Sequence, residues 1–190
     1  MFEYLMWGIG SYLLGSVAMA VIVCKLAGLP DPRKVGSHNP GATNVVRIAG
    51  KKLGAITLLG DAVKGAIPIL LAHSVGANEK IVACCMLAVF LGHLFPVFFQ
   101  FKGGKGVATA LGCLLALYWP LGLLTLCTWL IIFYTFRISS LSALITSVLI
   151  PLYGYFCLPP ILWFATIFIS GALLYRHKAN MYRLITGIEK

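Results

Sequence analysis

The chain reads as all-α: a polytopic membrane helix bundle of seven transmembrane helices, N-terminus outside and C-terminus cytoplasmic, with 1–190 forming a single integral membrane domain. Three observations predict this. Apolar residues make up 60% of the 190 and charged residues 11%, and mean hydropathy is +0.94, too apolar for the surface of a soluble domain. The apolar residues fall in runs near the roughly 20 residues that cross a hydrocarbon core of about 30 Å. The basic residues segregate to alternate connections, as cytoplasmic loops require.

The runs lie near Tyr4 to Cys24, Gly54 to Ser74, Ile81 to Phe99, Gly106 to Leu117, Pro120 to Phe136, Ser139 to Cys157 and Pro160 to Tyr175. The first is preceded by Glu3 and no basic residue, so it reads as a retained helix rather than a cleaved signal. Its Ser11 and Gly15 form a small-xxx-small pair suited to close helix packing. The fourth run is short: about twelve residues at 1.5 Å each reach some 18 Å, so a tilted or half-inserted helix is expected. Thirteen of the fifteen Lys and Arg residues follow the first, third, fifth and seventh runs. That asymmetry favours an odd number of spans and places those segments in the cytoplasm. The net charge of +10 is thus confined to one face, where it also attracts anionic membrane lipid. No basic stripe interleaved with aromatics points to nucleic acid. The six cysteines form no CxxC pair and imply neither a disulfide framework nor a zinc site. No inverted or tandem repeat is visible, which disfavours the usual transporter architectures.

Chemistry concentrates in four places. In Gly36-Ser37-His38-Asn39-Pro40-Gly41-Ala42-Thr43-Asn44-Val45-Val46-Arg47, glycines free the backbone, Ser37, Asn39, Thr43 and Asn44 supply neutral donors, and Arg47 adds a cationic fork. Such a loop suits an oxyanion; a plain polar turn capped by Ser37 or Asn39 is the bland reading. In Lys102-Gly103-Gly104-Lys105-Gly106 a glycine-rich turn runs into a helix, so backbone N–H groups, helix dipole and Lys105 converge as at a phosphate site. The spacing is not that of a nucleotide P-loop. In the second run Asp61 and Lys64 share one helix face, and His93 sits at matching depth in the third. Charges there cost roughly 2.5 to 3.5 kcal/mol each at the bilayer centre, so they pair or line a cavity, and serve either to orient the cationic loops or to touch substrate. The tail places His177, Asn180 and Arg183 at i, i+3 and i+6, on one face of a surface helix able to dock on the loops.

Taken together, the YLLGS at Tyr12 to Ser16, GSHNPGATNVVR, GDAVKG, the Gly92-His93 and Pro96 of the third run with KGGKGVAT, the Arg137 to Ser142 segment and HKANMYRLITGIE resemble the bacterial membrane acyl-phosphate:glycerol-3-phosphate acyltransferase family. The blocks follow the family's order over nearly the whole chain. The resemblance implies acyl transfer from a fatty acyl phosphate to glycerol-3-phosphate, giving lysophosphatidic acid, with no cofactor, metal or acyl-CoA. It also implies an acyl-phosphate-producing enzyme upstream and a site on the inner membrane's cytoplasmic face. The implied catalytic set is Ser37, Asn39, Arg47, Lys105 and His177. Substrate-binding residues would be Gly36, His38, Gly41, Thr43, Asn44, Gly103, Gly104, Ser142, Asn180, Arg183 and Glu189, with Asp61, Lys64 and His93 in support. Lys105 and its glycines are assigned chiefly to glycerol-3-phosphate, and the Ser37 to Arg47 block to the donor phosphate and oxyanion. The base is open between His177, with an ordinary pKa of about 6.5, and the donor's own phosphate, which titrates near 6. The competing class is a carrier for a phosphorylated solute, which would need polar residues through the full membrane thickness; the connections near Tyr118 to Pro120 and Cys157 to Pro160 carry no charge.

Overall fold

The structure is a computed structural model that describes residues 2–189. Its elements are helices: α1 (Phe2–Gly15), α2 (Met19–Leu26), α3 (Ala42–Ser74), α4 (Glu79–Leu94), a 3-10 turn (Val97–Phe99), α5 (Val107–Leu117), α6 (Trp119–Phe136), α7 (Ser139–Tyr155), α8 (Pro160–Arg176) and α9 (Lys178–Ile185). The starts follow local chemistry. Asn78 caps α4 by accepting from the N–H of Lys80 and Ile81, both at 3.1 Å. Pro120 and Pro160 sit in the first turns of α6 and α8, where the missing N–H costs nothing.

α4 is the central helix: its apolar window is 61% buried, against 17% for α6, which lies at the edge facing lipid. Phe90, Met86 and Val89 of α4 meet Ile69 of α3, Leu114 of α5 and Ile169 of α8 in one continuous core. Glycines set how closely the helices cross. A Cβ on Gly15 would run into the Val89 carbonyl, and one on Gly92 into that of Tyr12, so α1 and α4 touch backbone to backbone. Gly65 meets Thr109 O and Gly112 meets Ala62 O in the same way, seating α5 on α3.

Two elements differ from expectation. The first apolar run is two helices, α1 and α2, bent by 40° across Ser16, Val17 and Ala18. The break is held from elsewhere in the bundle: Lys64 Nζ donates to the Val17 carbonyl at 2.6 Å, and the Ser16 hydroxyl accepts from Val97 N at 3.3 Å. The polar segment before Gly54 is not all loop, because α3 begins at Ala42 and reaches Ser74 through a kink at Gly50, φ 84° and ψ 172°. A left-handed φ there suits glycine alone among common residues.

By length and composition, α3, α6 and Glu79–Phe99 are each long and apolar enough to cross a membrane, and α1 with α2 makes a fourth as one broken span. α5, α7 and α8 are shorter apolar helices, α5 having 11 residues, as its short run foretold.

Candidate active site

The segments flanking Asn44, Lys105, Ser139 and Asn180 come from four distant parts of the chain and meet at one end of the bundle. Arg33, tied to Asp31 at 2.7 Å, donates to Phe99 O at 2.9 Å. Thr43 and Ser139 hydroxyls lie 3.3 Å apart. Lys105 Nζ donates to Asn180 Oδ1 at 2.5 Å. Arg176 donates to Gly103 O and Gly104 O, both at 2.9 Å.

Asn44 builds the first loop. Buried at the start of α3, it accepts from Ser37 N at 2.9 Å and donates to Pro32 O at 2.9 Å and Val35 O at 3.1 Å. Gly36, at φ +64°, passes so close that a side chain would strike the Asn44 amide. These bonds occupy both donors of Asn44. Its place is therefore under the loop as a strap, rather than in it as a ligand. Ser37 and His38 are exposed above it, His38 in the left-handed region at φ 57°, and Asn39 is half-buried with its amide against Gly41. Arg47 is exposed one turn further along α3 and close enough to Lys105 to lower its proton affinity.

The second loop is tighter. The space beside Gly103 is filled by the carbonyls of His93 and Leu94, and that beside Gly104 by the His93 ring. Among the described residues, the N–H groups of Gly103, Gly104, Lys105 and Gly106 donate to no protein acceptor. They precede the first turn of α5, whose own leading N–H groups have no acceptor within the helix and carry the positive end of its dipole. Burial pulls Lys105 down to about 8; Glu189 opposes the shift, while Arg183, Arg47 and Arg176 add to it. Three guanidinium groups and one ammonium against the single carboxylate of Glu189 make this end of the bundle electropositive.

The tail closes it. Glu189 accepts from Ser140 Oγ at 2.6 Å, from Asn180 Nδ2 and from Arg183 Nε. Burial alone would raise its pKa, but these bonds outweigh that and hold it below the usual range. His177 is buried at the α8 to α9 junction, its Nδ1 2.8 Å from Leu173 O. Burial and then Lys105 pull it down to about 4. It is neutral at pH 7, and a far weaker base than an ordinary imidazole.

Beneath lie the buried Asp61 and Lys64, paired at 2.8 Å as their spacing implied, with His93 Nδ1 3.5 Å from Asp61 Oδ1. Lys64 spends its charge on the break in the first span through Val17 O. Ser142 is fully buried, and its hydroxyl returns to Ile138 O at 3.0 Å. The hydroxyl that reaches Glu189 belongs to Ser140. Sequence reasoning missed Ser140, Arg176 and Arg33; the reach of Arg176 to two loop carbonyls and of Arg33 to one has no signature beyond a cation near an apolar run. Among the described residues no three His, Cys, Asp or Glu side chains gather as a metal site would.

Known proteins resemble this chain over nearly its whole length. A family model described as Glycerol-3-phosphate acyltransferase matches residues 5–187. The glycerol-3-phosphate acyltransferase of Methylococcus capsulatus is 56% identical over 180 residues, 94% of this chain and 91% of the relative. That of Thioalkalivibrio sulfidiphilus is 53% identical over 182 residues, 95% and 90% of the two chains. A crystal structure of PlsY, an integral membrane glycerol 3-phosphate acyltransferase, in its glycerol 3-phosphate form superposes with a TM-score of 0.94 at 42% identity, covering 98% of this chain and 94% of that one. The lysophosphatidic acid form gives 0.91 at 40% identity with the same coverage. The fold and the comparisons define a multi-pass integral membrane acyltransferase. The chain belongs to the glycerol-3-phosphate acyltransferase family.

Proposed function

We propose that this enzyme transfers a fatty acyl group from acyl phosphate to the 1-hydroxyl of glycerol-3-phosphate, releasing inorganic phosphate and forming lysophosphatidic acid for phospholipid synthesis. The observation that carries the reading is the loop around Lys105, where uncommitted backbone N–H groups adjoin an ammonium within the field of Arg47, Arg176 and Arg183. A reaction in which both substrates bear phosphate needs such a place. Glycerol-3-phosphate sits on Gly103 to Gly106 with Lys105. The donor phosphate lies toward Arg47, with Ser37, Asn39 and Thr43 lining it and the carbonyl oxygen; Asn44 and Gly36 hold that loop's shape, and Gly41 lets Asn39 pack against it.

The acceptor hydroxyl attacks the acyl carbon, the bond from that carbon to the phosphate oxygen breaks, and phosphate leaves with the electron pair. A mixed anhydride needs orientation and charge stabilisation, not a protein nucleophile. The hydroxyl proton goes to the donor's phosphate, which titrates near 6 and outcompetes His177 at about 4. His177 instead fixes where α9 begins, and so where Asn180, Arg183 and Glu189 meet Lys105.

The chain acts as one domain crossing the inner membrane seven times, α1 with α2 as a broken span and α5 as a short one. Its N-terminus is outside and its site cytoplasmic. Support comes from the contacts among the segments after the first, third, fifth and seventh spans, which only an odd count puts on one side. An acyl-phosphate-producing enzyme supplies the donor. The test is chemical: purified protein in micelles with palmitoyl phosphate and labelled glycerol-3-phosphate should move label into a lipid that co-migrates with lysophosphatidic acid. Label that stays in the aqueous phase would reject the reading.

A further inference from the structure

We propose that Arg176 is a positioning residue for the anion loop: it holds the Gly103 and Gly104 carbonyls while His93 packs against Gly104, and together they fix the direction of the N–H groups of Gly104 and Lys105. The inference rests on the reading of that loop as the acceptor's phosphate subsite.

Two successive glycines are the most costly backbone to order, because each loses more conformational freedom than any other residue. An anion site built on their amides works only if those amides are aimed before the anion arrives. One guanidinium nitrogen of Arg176 takes both carbonyls, Gly103 O and Gly104 O, at 2.9 Å each. In a trans peptide C=O and N–H point opposite ways. Holding both oxygens at Arg176 therefore turns the N–H groups of Gly104 and Lys105 away from it, and neither donates to another group among the described residues. Arg176 is itself held, its guanidinium 5.9 Å over the Phe95 ring, whose residue's carbonyl accepts from Tyr12 at 2.6 Å.

The other jaw is His93. It is buried, and its ring fills the place a side chain on Gly104 would need, while its carbonyl and that of Leu94 fill the place beside Gly103. Asp61 stands 3.5 Å behind the ring's Nδ1. The loop thus cannot relax toward α4, and Arg176 ties its two carbonyls in place. In sequence Arg176 reads only as the cation that ends a span.

The test combines two readouts on full-length protein in detergent: amide hydrogen exchange over residues 99–108, and KM for each substrate, in Arg176→Met and Arg176→Lys. Losing two charge-assisted bonds should speed loop exchange about tenfold in Arg176→Met and raise KM for glycerol-3-phosphate about tenfold, with KM for acyl phosphate within about twofold of wild type. Arg176→Lys, which keeps the charge and one donor, should fall between and decides the matter by the same readouts if Arg176→Met does not fold. Unchanged exchange would overturn the proposal, whether KM rises, making Arg176 a direct phosphate ligand, or stays put. If wild-type protein transfers no acyl group, the functional reading falls while the exchange measurement still decides the clamp.

Discussion

Lys105 and Asn180 lie 75 residues apart, yet the ammonium of one donates to the amide oxygen of the other at 2.5 Å, and the same amide donates onward to Glu189. This relay joins the anion loop to the tail. It keeps Lys105 half-buried, and burial is what pulls its proton affinity down to about 8.

The first prediction follows from that value. Above pH 8 free Lys105 loses its charge, so kcat/KM for glycerol-3-phosphate should fall through an alkaline limb near 8. Bound phosphate dianion stabilises the charge, so the limb in kcat should lie higher. Stability should move the opposite way. The folded-state value is below the unfolded 10.5, so the unfolded chain binds more protons between about 8 and 10.5, and stability rises with pH across that window. Initial-rate profiles and thermal unfolding from pH 7 to 10 check both signs. Lys105→Arg, always charged, should lose the alkaline limb.

His177 should leave no mark on the acid side. Pulled down to about 4, it stays neutral throughout the assayable range. The acid limb should follow the second ionisation of the phosphates, near 6. Replacing it in His177→Asn should lower activity by displacing α9 without shifting that limb. A limb that disappears in the variant would restore His177 as the base.

Glu189 carries the tail's attachment. Its pKa is held below the usual 4.5 by Arg183, Ser140 and Asn180, against the pull of burial. The contribution to docking is therefore complete above pH 4.5 and is lost as pH falls below it. Glu189→Gln should mimic the acid state at pH 7, with α9 cleaved faster by limited trypsinolysis at Lys178 and Arg183.

The buried pair beneath the site should be strongly coupled. Asp61 and Lys64 meet at 2.8 Å, and Lys64 also caps Val17 O in the broken span. Asp61→Asn or Lys64→Met alone strands a buried charge, at a cost of about 3 to 5 kcal/mol. The double variant should regain much of it. A double-mutant cycle by thermal unfolding in detergent measures the coupling, and additive losses would mean the two act independently.

Much of this was legible beforehand. Apolar runs gave five helices, α4 to α8, nearly as they stand, because membrane spans are written in composition rather than in long-range contacts. The short α5 and the Asp61–Lys64 pair followed from length and helical spacing. The break at Ser16 to Ala18 did not, since no proline or polar residue of size marks it; Lys64 satisfies the Val17 carbonyl and Val97 N bonds the Ser16 hydroxyl, and only tertiary structure brings both there. Helix α3 entering the polar block was hidden by its glycines, one of which, Gly50, marks the kink itself. Within the proposed site, three side chains make contacts that their residue types did not foretell. Asn44 looked like a ligand and is a strap, Ser142 stood in for Ser140 two positions away, and Arg176 passed as topology.

The central claim is acyl transfer that depends on the acceptor at the Lys105 loop. It is tested most directly by inorganic phosphate release from palmitoyl phosphate by the purified protein, with and without glycerol-3-phosphate, beside Lys105→Ala. Phosphate should be released only with the acceptor, and kcat/KM for glycerol-3-phosphate should fall about a hundredfold in the variant. Release that ignores glycerol-3-phosphate, or that survives undiminished in Lys105→Ala, would contradict it.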